Sequence, residues 1–136
     1  MNSFLKLVLF SLLLLPFSFL SAQTPDFSFS LKITDNQGNQ DSVIIGYGSN
    51  ATILLDQNYG ETDISSEPFD SLLEMRTGFA AQPSGFQSKT QITDWSCNSN
   101  FDYQIIALSI FTENFPVVLS WDEGQFESIE NPCHKA

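Results

Sequence analysis

The stretch Phe27-Ser28-Phe29-Ser30-Leu31-Lys32-Ile33-Thr34 alternates apolar and polar side chains without a fault. Successive side chains of an extended chain point to opposite faces. Period two therefore collects Phe27, Phe29, Leu31 and Ile33 on one face of a half-buried strand. Asp35-Asn36-Gln37-Gly38-Asn39-Gln40 follows, and every residue in it suits a turn. Val43-Ile44-Ile45-Gly46-Tyr47 reads as the returning strand, so residues 27–47 are expected to form a hairpin.

Downstream of the hairpin the pattern loosens and then resumes. Residues 48–68 form a long connection, with a short apolar patch at Ala51 to Leu55 and a polar, acidic run from Asp56 to Pro68. Connections of that length usually have a task or pack on themselves. Alternation returns from Phe69 to Arg76, with Phe69, Ser71, Leu73 and Met75 on one side. Gly78 to Gly85 reads as loop and Gln87 to Trp95 as a polar strand. Phe101 to Phe111 is rich in β-branched and aromatic residues, which argues for strand over helix. Asn114-Phe115-Pro116 turns, Val117, Leu119 and Trp121 alternate again, and Gln125 to Ile129 fits a last short strand. Six to seven short strands with frequent turns predict an all-β fold, an antiparallel β-sandwich of Ig-like or jelly-roll-like kind.

Upstream of the hairpin lies a leader. Lys6 and the amino terminus carry positive charge, Leu7 to Leu15 is apolar, Pro16 interrupts, and Ser21-Ala22-Gln23 supplies small residues for cleavage. Residues 1–22 are read as a secretory signal peptide, and residues 23–136 as a single β-sandwich domain. An uncleaved anchor is the alternative, but a bilayer takes about 20 apolar residues and this run is shorter and broken. The mature chain is expected not to span a membrane and to be secreted or held at the cell surface.

The full chain has 5 basic and 16 acidic residues, a formal charge of −11. Lys6 departs with the leader, which leaves the mature chain more negative still. Such a field repels phosphate backbones, which makes nucleic acid and anionic membrane poor partners, and no nucleic-acid partner is expected. Cys97 and Cys133 are the two cysteines and allow one pairing; each could equally be an ordinary buried thiol.

An ordered series runs through the mature chain: Gly46-Tyr47-Gly48, Ala51-Thr52, Asp56, Gly60-Glu61, Pro68, Phe69-Asp70 before Arg76, and Phe115-Pro116-Val117-Val118-Leu119-Ser120-Trp121-Asp122. This series resembles a β-rich N-terminal module of secreted bacterial proteins that carry type IX secretion sorting domains. The resemblance covers roughly residues 30–125. It departs from the usual pattern at Ile53-Leu54 and at Ile64-Ser65-Ser66-Glu67. It implies export and a β-rich fold, and it brings no catalytic residues with it. In the same secretion setting, Asp41-Ser42-Val43 and Asp70-Ser71-Leu72 resemble short O-glycosylation patterns, although both also suit strand starts.

Chemistry-bearing patterns are sparse. His134 is the one histidine and sits near the end of the chain, a poor place for the middle member of a triad. Cys97, Cys133 and His134 fit no common zinc spacing. Asp35 to Asp41 superficially resembles a calcium loop, but Gln40 stands where an EF-hand needs glycine, and a polar hairpin turn explains the residues better. The acidic loop is the better oxygen-rich candidate, so Asp56, Tyr59, Glu61 and Asp63 are the expected ligand-binding loop, with Ca²⁺ the one cofactor it would suit. Tyr59 is the expected exposed stacking residue, whereas Tyr103 and Trp121 fall on core-phase positions. No enzyme is expected. The partner is expected to be a protein or a glycan at the cell surface. The reading is an exported, non-catalytic module with a structural or adhesive role, with a carbohydrate-binding accessory module as the alternative.

Overall fold

Six strands stack in two layers in a computed structural model, which describes residues 22–69, 72–79, 85–94 and 105–126. The hairpin forms as its pattern dictates. β1 (Phe27–Asp35) and β2 (Gln40–Tyr47) pair antiparallel with Leu31 opposite Val43 and Ile33 opposite Asp41. The turn is locked by Asp35, whose Oδ1 accepts the amides of Gln37 (3.0 Å) and Asn39 (2.9 Å) while Oδ2 accepts Asn39 Nδ2 (2.8 Å). Gly38 takes φ +84° at the tip, a conformation that favours glycine.

The remaining strands are β3 (Leu73–Phe79), β4 (Thr90–Thr93), β5 (Ile106–Thr112) and β6 (Val117–Ser120). One sheet has the order β4-β2-β1-β6, and β3-β5 forms the second. The fold is an all-β sandwich, as expected. One pairing departs from the antiparallel expectation: β4 runs parallel to β2, with Ile45 opposite Gln91, so the larger sheet is mixed.

The core lies where the two layers face. Leu31, Ile33 and Val43 of the larger sheet meet Leu73 and Met75 of the smaller one, with Phe29, Ile45, Leu108, Ile110 and Val117 packed around them. Ile33 and Met75 are fully buried, and truncating a side chain at such a site costs about 2–5 kcal/mol. Gly46 lets β1 and β2 close up, because a Cβ there would lie 2.2 Å from the Phe27 carbonyl oxygen.

Three local expectations are corrected. Gln125 and Phe126, expected to open a last strand, belong to a 3-10 turn at Glu123–Phe126, and residues 127–129 of that expected strand lie outside the described residues. Asp122 causes this: its Oδ1 accepts the Gly124 amide at 3.0 Å and curls the chain locally. Phe126 then packs on Phe27 and Phe29, with ring centroids 5.4 and 5.0 Å apart. Trp121, expected in the core, is 51% exposed. β3 continues through Gly78 and Phe79, where the sequence predicts loop. The expected strand residues 101–104, Tyr103 and Trp95, and most of the leader, lie outside the described residues. Among the described residues no helix is long and apolar enough to cross a membrane.

Candidate functional site

The acidic loop turns one of its nominated side chains into the fold. A 3-10 turn at Gln57–Tyr59 ends on Gly60 at φ +80°, and this reversal swings Glu61 inward. Glu61 is 1% exposed. Its Oε2 accepts the Asp56 amide at 2.8 Å and its Oε1 accepts the Ile92 amide of β4 at 2.5 Å. The carboxylate thus pins the loop to the edge strand of the larger sheet. Burial pushes its pKa up, against the lowering effect of the two amides, and neighbouring Asp56 adds to the rise.

The other three nominated residues are also engaged within the fold. Asp56 Oδ2 accepts the Thr52 amide. Asp63 Oδ1 accepts the amides of Ser65 (2.9 Å) and Gln87 (3.3 Å), and its hydrogen bonds, led by those from Ser65, hold the carboxyl below its ordinary range. Tyr59 is half-buried, and its ring lies against Gly48, where an added Cβ would come within 2.5 Å of the hydroxyl. The expectation of an exposed stacking tyrosine is therefore corrected. Among the described residues, no three His, Cys, Asp or Glu side chains are grouped to hold a metal ion. The pairing of Cys97 with Cys133, and His134, lie outside the described residues.

The polar centre that sequence reading missed is on β3. Alternation places Glu74 and Arg76 on the face away from the core, where solvent is the ordinary neighbour. Instead residues 64–69 fold across that face, and Arg76 is 2% exposed. Its Nε donates to Glu74 Oε1 at 2.7 Å. One terminal nitrogen donates to the carbonyls of Ile64 (2.7 Å) and Glu67 (2.9 Å), and the other to that of Pro68 (3.0 Å). The guanidinium also lies over the Phe69 ring at 4.1 Å, and Phe69 stacks on Phe111 of β5 with centroids 5.3 Å apart. The one readable signal was an acid and a base two residues apart on one strand.

A second link ties the two layers together. Lys89, just before β4, donates to Asp41 Oδ2 on β2 at 2.5 Å and to the Met75 carbonyl on β3 at 2.8 Å, and stands 3.8 Å from Glu74. Asp41 Oδ2 also accepts the Met75 amide at 2.7 Å. The chain Asp41–Lys89–Glu74–Arg76 therefore runs from one sheet to the other and on to the covering loop. These charges hold the covering loop and the two layers together.

Apolar side chains, by contrast, are exposed on and beside β6, on both of its faces. Phe115, Val118, Leu119 and Trp121 are all exposed along β6. Leu119 stands opposite fully buried Ile33 and shares its inward face, yet it is 41% exposed. No family model matches the chain, and no curated protein or solved structure matches it.

Proposed function

We propose that this protein is an exported, non-catalytic β-sandwich module that binds other macromolecules at or beyond the cell surface, in a structural or adhesive role. The observation that carries this reading is the exposure of Leu119 and Trp121, which have the parity of buried Ile33 yet stand open to solvent. Large apolar side chains left uncovered on a face that should be buried mark interaction sites. The buried charges support it from the other side, since Glu61, Glu74 and Arg76 are bonded to backbone or to each other. The leader pattern at residues 1–22 supports export, and the series from Gly46 to Asp122 supports a type IX secretion setting.

The test is the fate of the full chain, tagged at its C-terminus and produced in a bacterium that has this secretion route. A product whose intact mass begins at Gln23, recovered from the surface or medium, is expected. A cytoplasmic product that retains Met1 overturns export. Turnover of model glycosides above blank by the purified product overturns the non-catalytic reading. Saturable binding on a glycan array would replace it with the carbohydrate-binding alternative.

A further inference from the structure

The two layers of the sandwich are unequal. Among the described residues the larger sheet has four strands and the smaller has two, and the positions of the two can be read from their links. On one edge of β3, Thr77 bridges to Ser88, which leads directly into β4, so that side is closed over the β4 end of the larger sheet. On the other edge β5 pairs with β3 from Leu73–Thr112 to Phe79–Ile106. β5 ends above β1, where Thr112 Oγ1 bonds Asp35 Oδ2 at 3.4 Å and the Asn36 amide bonds the Asn114 carbonyl at 3.3 Å. β6 lies one strand further out than β1, and among the described residues no strand of the smaller sheet covers it.

This missing cover explains the exposure on β6. Leu119 and Trp121 have the parity of buried Ile33, but among the described residues no strand of the facing layer lies beyond β5. The free edge of β5 runs beside the gap. Its sequence, Ile106-Ala107-Leu108-Ser109-Ile110-Phe111-Thr112, contains neither charge nor proline, the usual devices that blunt an open edge. Ile106, Leu108 and Ile110 on its inward face are half-buried.

We propose that this open side accepts an extended strand from another polypeptide, which pairs with β5 and completes the smaller sheet over Leu119 and Trp121. Main-chain hydrogen bonds to an open edge supply affinity in such strand addition, and alternate side chains supply specificity. The incoming strand carries apolar residues at every second position, matched to Leu119 and Trp121. Charge sets its ends. Glu113 flanks the gap where β5 finishes, and Asp122 and Glu123 flank it where β6 finishes, all exposed. Lysine or arginine at both ends of the strand complements them. A second copy of this chain is disfavoured by the same residues, because edge-to-edge pairing of two copies brings acid against acid. The inference rests on the reading of the protein as a binding module, and it names the surface and the partner class.

The test uses the purified protein and a labelled probe peptide of about ten residues, alternating valine and threonine with lysines at both ends. Fluorescence anisotropy is expected to show saturable binding. A glutamate-ended peptide, and one N-methylated at alternate backbone nitrogens, are each expected to bind at least about tenfold more weakly. Leu119→Glu and Trp121→Ala change exposed residues, so unfolding midpoints near the parent's and a loss of about tenfold or more in peptide affinity are expected. Equal binding of the N-methylated peptide, or no binding of the lysine-ended one up to about 1 mM, overturns the proposal. Concentration-dependent dimerisation in sedimentation without peptide, abolished by Leu119→Glu, overturns it in favour of a second copy. Peptide binding is read on purified protein, so its failure is distinct from a failure of export.

Discussion

Replacing Arg76 with alanine tests the charge centre of β3 most sharply. The substitution removes the ion pair to Glu74, three carbonyl contacts to residues 64–68 and the cation–π contact with Phe69. These losses are unequal. Residues 65–68 are exposed, so water can replace the lost donors there, and each such bond contributes only about 1 kcal/mol net. Glu74 is buried, and its nearest remaining cation, Lys89, is 3.8 Å away. Breaking a buried pair from one side costs about 3–5 kcal/mol, because it strands the other charge. The expected loss is therefore about 4–5 kcal/mol, a large part of the roughly 5–15 kcal/mol that holds a domain of this size. The thermal midpoint should fall by about 15–20 °C.

Urea unfolding followed by circular dichroism measures this loss, and Arg76→Ala/Glu74→Ala provides the control. With both charges gone no carboxylate is stranded, so the double variant should recover about 2–3 kcal/mol relative to the sum of the single ones. Arg76→Lys keeps the charge but lacks the planar fork, and should fall between the parent and alanine. An Arg76→Ala loss below about 1 kcal/mol, or strict additivity in the double variant, would refute the reasoning.

Further outcomes follow from the same geometry. Glu61→Gln sets an amide donor against one of the two backbone amides the carboxylate now accepts, and should cost about 2–3 kcal/mol in urea unfolding. Its pH dependence has a definite sign. The Glu61 carboxyl is raised in the folded state, so its contribution is greatest below the ordinary 4.5 and falls as pH rises through the folded value. The deficit of Glu61→Gln should accordingly be larger at about pH 4 than at about pH 7. Asp35 behaves oppositely: desolvation works to raise its carboxyl, but bonds from Asn39, Gln37 and Asn114 outweigh it and leave the net shift downward. Its contribution is present above the ordinary 3.8 and is lost as pH falls through the folded value, so the urea-midpoint deficit of Asp35→Asn should shrink in acid. Gly46→Ala should lower the thermal midpoint more than Gly48→Ala. The first drives a Cβ into the β1 backbone, whereas the second meets only the movable end of Tyr59.

What the sequence made legible depends on how local the cause is. The hairpin at 27–47 could be read because period two and turn chemistry act within a few residues of each other. The parallel pairing of β4 with β2 could not, since it joins segments more than 40 residues apart and leaves no local pattern. Glu74 and Arg76 occupy positions that alternation assigns to solvent, and only the path of residues 64–69 over them makes them buried. Glu61 looked like an exposed loop acid until the reversal at Gly60 turned it inward. Trp121 continues the alternation of β6, but among the described residues no strand of the facing layer lies opposite it. In each case the missing information was which distant segment lies across a given face.

Amide hydrogen exchange resolved residue by residue along β5 bears most directly on the open side of the sandwich. In an antiparallel pair, alternate amides point toward the partner and the rest point away. Slow and fast exchange should therefore alternate from Ile106 to Thr112, whereas Lys32 to Thr34 of β1 and Ile44 to Tyr47 of β2, paired on both sides, should be protected throughout. Uniformly slow exchange across β5 in the isolated protein would show its outer edge already paired, and would contradict an open acceptor.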